Sequence, residues 1–237
     1  MEKIELFGIR FDNLGMEEAL EKIRGFVVLP YSEIIVRAQK DEEFKKILNS
    51  ADFCLCESRG LYLVARFIGK RLKGVINGIE LIYRICEKSQ NPNSKFQTIL
   101  LLGGTENVVE KTKGNLIKKF PNIKIVGAEN GYQDLEKVIK KINGVKPDIL
   151  LVAFGSPKQE KWIYENLSKM PSVKLAMGVG GAFDFISGHV RRAPKLIQKI
   201  GLEWLWRLVI QPRRIKRVYN GVFKLAWLTF KNMLSLK

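Results

Sequence analysis

Asp148-Ile149-Leu150-Leu151-Val152-Ala153-Phe154 is an apolar run that stops at Gly155, and Ser156-Pro157-Lys158-Gln159-Glu160-Lys161-Trp162 then opens a helical pattern. An apolar run without polar alternation suits a strand covered on both faces, as in a parallel sheet flanked by helices. Pro157 reads as the first position of a helix over 157–167. Working outward, the same unit recurs. Residues 173–179 run into Gly180-Gly181, and residues 97–102 run into Gly103-Gly104. A helix over 106–120, a strand over 123–127 and a helix over 135–142 lie between them. Nearer the start, 3–11 reads as a strand and 16–26 as a helix with Leu20 and Ile23 inward. A second helix covers 32–48 with Ile35, Phe44 and Leu48, closed by Asn49-Ser50, and 53–56 is a short buried strand. Residues 91–95 are a polar, Pro-containing loop. The alternation predicts an α/β fold, a Rossmann-like parallel-sheet core over 1–190 followed by a C-terminal basic helical appendage over 191–237.

Composition separates these two parts. The 237 residues are 46% hydrophobic, enough for a core, and carry a net charge of +17. From Val190 to Lys237 there are 12 Lys or Arg against one acid, Glu203, so +11 of that charge sits in the last 48 residues. Such an imbalance calls for a polyanionic partner. Three of the four Trp lie in the same stretch, among them Leu202-Glu203-Trp204-Leu205-Trp206-Arg207. Cations interleaved with Trp and Phe suit an amphipathic element on anionic lipid, or helices packing their aromatics on the core. Arg207, Arg214 and Arg217 would share one helical face. No recognition helix or aromatic sheet accompanies the charge, so specific nucleic-acid binding is not expected. No window reaches the ~18 apolar residues of a spanning helix, and the N-terminus lacks the pattern of a signal peptide. Cys54, Cys56 and Cys86 form no disulfide framework, which fits a reducing compartment. One histidine, His189, and no CxxC pair argue against a structural zinc site.

In an open parallel sheet, ligands bind beyond the carboxyl ends of the strands. The turns at Gly103-Gly104, Gly155 and Gly180-Gly181 all fall there, where Gly lets backbone approach a ligand and a following helix start offers N–H groups to phosphate. Each alone would be ordinary strand-to-helix punctuation. None is a Walker A loop or a complete GxGxxG. Lys158 in the first turn of a helix opposes the helix dipole, which an anion nearby would offset.

These residues resemble the WecG/TagA/CpsF family of bacterial glycosyltransferases. The signatures are Leu101-Leu102-Gly103-Gly104, Gly155-Ser156-Pro157-Lys158-Gln159-Glu160-Lys161-Trp162, Gly178-Val179-Gly180-Gly181-Ala182-Phe183-Asp184, Arg192-Ala193-Pro194 and Gly201-Leu202-Glu203-Trp204-Leu205-Trp206-Arg207, with Ala38-Gln39-Lys40-Asp41-Glu42-Glu43-Phe44 near the start. The resemblance implies inverting transfer, without metal or cofactor, of an N-acetylmannosamine-type sugar from a UDP donor. The implied acceptor is a polyprenyl-diphosphate-linked N-acetylglucosamine on the cytoplasmic leaflet, for teichoic acid, capsule or related polymers. It also implies a peripheral protein on the inner face of the membrane, closed over its site by the appendage, and is compatible with a homo-oligomer.

Carried over by position, Gln159 contacts donor or acceptor, Gly103, Gly104, Gly155, Lys158, Gly180, Gly181 and Asp184 line the substrate cleft, and Arg207, Arg214 and Arg217 reach the diphosphates. The family's base, an Asp in a Pro-Asp-Gly turn, corresponds to Glu57 in Cys56-Glu57-Ser58-Arg59-Gly60. The family's Thr-Pro-Asn-x-Glu reads Leu29-Pro30-Tyr31-Ser32-Glu33, and its Arg-Val-Ala-Gly reads Val75-Ile76-Asn77-Gly78. A changed sugar or acceptor, lower activity, or a non-catalytic module that binds sugar nucleotide or lipid diphosphate would each follow from such changes.

Overall fold

The computed structural model describes residues 2–200 and 202–235, with side chains at all of these except 195, 199, 200, 214, 217 and 232–235. The chain opens with β1 (Lys3–Leu6) and β2 (Ile9–Asp12), an antiparallel hairpin that forms its own two-stranded sheet. Residues 3–11 therefore hold a turn rather than one strand. Phe7 and Gly8, at φ 54° and 75°, reverse the chain in the left-handed region that two-residue hairpin turns require. Buried Asp12 ties the hairpin to the core: its Oδ2 accepts from the Cys54 N–H at 2.9 Å.

Next come α1 (Met16–Lys22), β3 (Gly25–Val28), α2 (Ser32–Ala38), α3 (Glu42–Ser50), β4 (Phe53–Cys54), α4 (Arg59–Phe67) and α5 (Gly78–Ser89). Two expected helices are shorter than the sequence pattern suggested. The helix expected over 16–26 stops at Lys22, because Gly25 turns the chain at φ 63° and starts a buried strand. The helix over 32–48 breaks at Gln39–Asp41, where the Asp41 side chain caps a new helix by accepting from the Phe44 N–H at 2.9 Å. The second half follows the expected alternation as β5 (Thr98–Gly103), α6 (Glu106–Lys119), β6 (Lys124–Glu129), α7 (Leu135–Val145), β7 (Ile149–Ala153), α8 (Lys158–Asn166), β8 (Leu175–Gly178) and α9 (Ala182–Ile186). Pro157 lies one position before α8, as its cap residue, and not inside the first turn.

The six strands form one parallel sheet in the order β4-β3-β8-β7-β5-β6. Its middle strands are fully apolar, and their two faces feed two separate hydrophobic clusters, one around Leu100, Leu150 and Ala176, the other around Leu101, Leu151 and Met177. That alternation is why the run at 149–153 carries no polar residue. The architecture is the expected Rossmann-like α/β core.

The C-terminal segment is α10 (Lys195–Ile200), α11 (Glu203–Ile210), a 3-10 turn (Pro212–Arg214), α12 (Ile215–Val218), a π turn (Tyr219–Phe223) and α13 (Lys224–Ser235). The break at Gln211-Pro212 puts Arg207 on a different helix from Arg214 and Arg217, so the single helical face expected for the three does not form. Proline removes a helical N–H and forbids continuation there. The segment packs on α2 through Gly221, Leu225 and Thr229, all buried and spaced by four. A side-chain carbon at Gly221 would lie 3.5 Å from the Glu33 nitrogen, so glycine lets the two backbones approach. Tyr219, Phe223 and Trp227, also spaced by four, are exposed instead, so these three aromatics do not pack on the core.

The least forgiving turn is at the end of β5. Gly103 has φ 127°, and a side-chain carbon there would sit 2.6 Å from the Ala153 carbonyl carbon and oxygen. Both strain and a backbone clash oppose any side chain. We expect Gly103→Ala to lose about 3 kcal/mol or more of stability, read as a fall in the urea midpoint at unchanged slope.

Candidate active site

The carboxyl ends of the strands form one edge, and the sequence-derived candidates are arrayed along it. Glu57 follows β4, Gly180 and Gly181 follow β8, Gly155 follows β7, and Gly103 and Gly104 close β5. Four strand spacings separate β4 from β5, roughly 19 Å, so the edge is a groove rather than a point. β5 sends its chain outward to β6 while β7 sends its chain the other way to β8, and their loops diverge into a crevice between Gly103-Gly104 and Gly155.

Gln159 organises the centre of this groove. It is buried in the first turn of α8, and its Oε1 accepts from the Gly155 N–H at 3.1 Å and the Gly180 N–H at 2.9 Å. One carboxamide oxygen thus joins the loops after β7 and β8. Its Nε2 donates to Glu160 Oε1 at 2.8 Å, which fixes the orientation of the amide. A side-chain carbon on Gly178 would lie 2.7 Å from that nitrogen, so the end of β8 must be glycine. Glu160 is itself buried, and loss of hydration holds its carboxyl above the usual range.

Glu57 accepts the Gly78 N–H at 3.2 Å on Oε1. Some of the residue remains accessible, but most of the volume around its carboxyl is protein, and this loss of hydration pushes the pKa up to about 7. The Gly78 hydrogen bond opposes the rise, Glu203 adds to it by repulsion, Arg207 opposes it by attraction, and Glu160 again adds. Asn77, next to Gly78, caps α5 by accepting from the N–H groups of Ile79 and Glu80. It also accepts from Arg192 Nη2 at 3.3 Å, while Arg192 Nε donates to Glu203 at 3.2 Å. Arg192 therefore ties the turn behind Glu57 to the start of α11.

Arg207 on the same helix reaches the loop after β8. Its guanidinium lies 4.6 Å from the centre of the Phe185 ring, and a side-chain carbon on Gly181 would be 2.6 Å from its Nη2. The second glycine of Gly180-Gly181 is thus what leaves room for the arginine. The structure brings together Glu57, Gln159, Gly155, Gly180, Gly181 and Arg207. Asp184 is half-buried in α9, with its main-chain carbonyl accepting from Val190 and Ser187. Lys158 is exposed, with its ammonium 5.0 Å from the Phe154 ring centre. His189 is exposed beyond α9. The side chains of Arg214 and Arg217 lie outside the described residues. Among the described residues no three His, Cys, Asp or Glu cluster as metal ligands.

Four participants carry no role in the sequence reading. Glu160 stood in a quoted motif without a role, and its neighbour Gln159 was the only signal for it. Arg192 and Asn77 are 115 residues apart, and no spacing rule joins them. Tyr132, 83% exposed on the loop after β6, is held beside the β5 turn by the Gly131 N–H donating to the Gly104 carbonyl at 2.9 Å.

Comparison with known proteins agrees with this geometry. The sequence model described as the glycosyl transferase WecG/TagA/CpsF family matches residues 4–237. A protein of Bacillus subtilis (strain 168), named N-acetylglucosaminyldiphosphoundecaprenol N-acetyl-beta-D-mannosaminyltransferase, is 34% identical over 201 residues, 84% of this chain and 77% of its own length. A protein of the same name from Staphylococcus aureus (strain NCTC 8325 / PS 47) is 32% identical over 228 residues, 91% of this chain and 88% of its own. The match spans both the strand-end groove and the helices that close on it, and the chain belongs to the WecG/TagA/CpsF family of glycosyltransferases.

Proposed function

We propose that the protein moves an N-acetylmannosamine-type sugar from a UDP donor to a polyprenyl-diphosphate-linked N-acetylglucosamine, with inversion and without a metal ion, in teichoic acid or other cell-surface polysaccharide assembly. The names of the relatives supply the donor sugar and the acceptor. The observation that carries the chemistry is Glu57, a carboxyl with a pKa of about 7 at the ligand edge of the sheet, close enough to Arg207 for the two charges to interact.

A general base works best when its pKa lies near the working pH. Glu57 takes the proton of the acceptor hydroxyl as that oxygen attacks the anomeric carbon. The sugar–phosphate bond breaks on the opposite face, UDP departs with the bonding pair, and configuration inverts in one displacement. Arg207 supplies positive charge to diphosphate, joined on this reading by Arg214 and Arg217, in the role a metal ion fills elsewhere. The crevice between the diverging loops at Gly103-Gly104 and Gly155 receives the donor, and exposed Tyr132 beside it stacks on the base.

We further assign residues 191–237 as an appendage that holds the protein on the inner face of an anionic membrane. No helix among the described residues is long and apolar enough to cross one. Tyr219, Phe223, Trp227 and Phe230 instead form an exposed aromatic stripe on a strongly basic segment, the composition of an interfacial helix. Away from lipid, the same stripe offers a second copy of the chain an apolar surface.

The direct test is release of UDP from UDP-N-acetylmannosamine with a soluble diphosphate-linked N-acetylglucosamine as acceptor. Acceptor-dependent release is expected. UDP binding without release, across a panel of donors and acceptors, would replace the enzyme with a binding module. Because the base acts deprotonated, kcat/KM should rise with pH through an apparent pKa near 7 and level off above it. Glu57→Gln keeps an acceptor for the Gly78 N–H and should lower kcat by about 10²–10⁴-fold, with UDP affinity in calorimetry nearly unchanged. Gln159→Ala leaves two loop N–H groups without their acceptor, and UDP affinity should fall about tenfold or more. Phe223→Ser with Trp227→Ser should weaken partition into phosphatidylglycerol vesicles while sparing UDP affinity. Unchanged partition would remove the stripe from membrane binding.

A further inference from the structure

Exposed apolar side chains concentrate in two places. One is the C-terminal segment described above. The other is α4, which begins two residues after Glu57. Its inner face buries Leu61 and Ala65, with Tyr62 and Val64 packed partly against the core. Its outer face carries Leu63 at 61% exposure and Phe67 at 70%, one helical turn apart. Elsewhere on the body, Ile117, Tyr132, Val145 and Tyr164 lie on separate elements, as single surface residues normally do.

The charges within α4 and the turn that follows it are all of one sign. From Arg59 to Lys73 the sequence Arg-Gly-Leu-Tyr-Leu-Val-Ala-Arg-Phe-Ile-Gly-Lys-Arg-Leu-Lys has no acidic residue. Lys73 pairs with Glu18 at 2.7 Å. Arg59, Arg66, Lys70 and Arg71 are exposed and make no salt bridge among the described residues. Arg66, Lys70 and Arg71 line a recess of about 410 Å³ beside Tyr62 and Leu72. An exposed aliphatic and an exposed aromatic side chain one turn apart, on a helix whose Arg66 lines a cationic recess, match an anionic lipid: headgroup in the recess, acyl chains against Leu63 and Phe67.

The two elements are joined through the start of α2. Ser58, the cap residue of α4, has its hydroxyl 3.3 Å from that of Ser32 at the start of α2, and the next residue, Glu33, backs on Gly221 of the C-terminal segment.

We propose that α4 is a second membrane foot, which binds anionic phospholipid through Leu63, Phe67 and the Arg66–Lys70–Arg71 recess. With the C-terminal helices it seats the protein on both sides of the groove that holds Glu57. The proposal rests on the membrane reading of the C-terminal segment and deepens it, since one foot leaves the groove free to tilt and two fix its height above the bilayer.

The test uses the full chain. Cys54, Cys56 and Cys86 are buried, so Leu63→Cys provides an addressable thiol for an environment-sensitive fluorophore. Phosphatidylcholine vesicles containing phosphatidylglycerol should shift its emission to the blue, and lipids brominated near the headgroup end of the acyl chain should quench it. Pure phosphatidylcholine should do neither. In parallel, Leu63→Gln with Phe67→Gln should lower the vesicle partition coefficient by on the order of tenfold and leave UDP affinity in solution unchanged. If the unaltered protein fails to bind vesicles, the membrane reading falls and this proposal with it. If it binds and the Phe223→Ser, Trp227→Ser variant binds more weakly, a water-exposed label at 63 together with normal partition of the double variant would overturn the second foot alone. A label buried in vesicle-free solution as protein concentration rises, and released by Phe67→Gln, would assign the face to a second copy of the chain and also overturn the proposal. Should the double variant fail to fold, the labelled protein decides by itself.

Discussion

One buried side-chain amide holds the ligand edge of this protein together. Gln159 Oε1 receives the N–H groups of Gly155 and Gly180, and the loops after β7 and β8 are thereby fixed to each other rather than each to its own strand. A buried oxygen with two donors is satisfied, and removing it would leave two partly buried N–H groups without their acceptor. The amide could in principle flip, which would aim its nitrogen at those two donors. Glu160 prevents this by accepting from Nε2. Burial favours the neutral acid there, and a carbonyl oxygen of that acid still accepts. The absence of a side chain at Gly178 follows from the same amide, and the room at Gly181 lets Arg207 sit against the second loop. Gln159, Glu160 and Gly178, which look independent in the sequence, answer to one geometric requirement.

How much of this the sequence disclosed depended on the range of the interactions. Strands β5, β7 and β8 were legible because burial on both faces strips polar residues from the run, and the following glycines mark the turns. β3 was hidden because its short apolar run continues directly from a helical pattern, and only the left-handed backbone at Gly25 separates them. The break in the helix expected over 32–48 depended on Asp41, whose capping role is invisible until the chain around it is known to turn. The same holds for Gln211-Pro212, which split a helical face that residue spacing alone had drawn through Arg207, Arg214 and Arg217. At the site, the glycine turns were read correctly as strand ends, while Glu57 and Gln159 came from family resemblance. Arg192 and Asn77 were out of reach for any local pattern, since their contact joins the start of α5 to the C-terminal segment.

Glu57 also shows how far a carboxyl at this edge depends on the protein packed around it. Its main source of basicity is the protein that replaces water around its carboxyl, and two of the charges it feels, Glu203 and Arg207, lie on α11. They act with opposite sign, Glu203 raising the pKa and Arg207 lowering it. An uncovered glutamate would return toward its ordinary value near 4.3 and abstract a proton from a sugar hydroxyl less readily. The arginine that would stabilise departing diphosphate arrives on the same helix. Arg192 makes this joint cooperative, because it bonds both Glu203 of that helix and the cap residue next to the amide that holds Glu57. On the proposed function, the C-terminal segment therefore contributes base strength and leaving-group stabilisation in one docking event. A protein whose acceptor is lipid-linked gains from that arrangement, because the segment that completes the site is also the one with the exposed aromatic stripe.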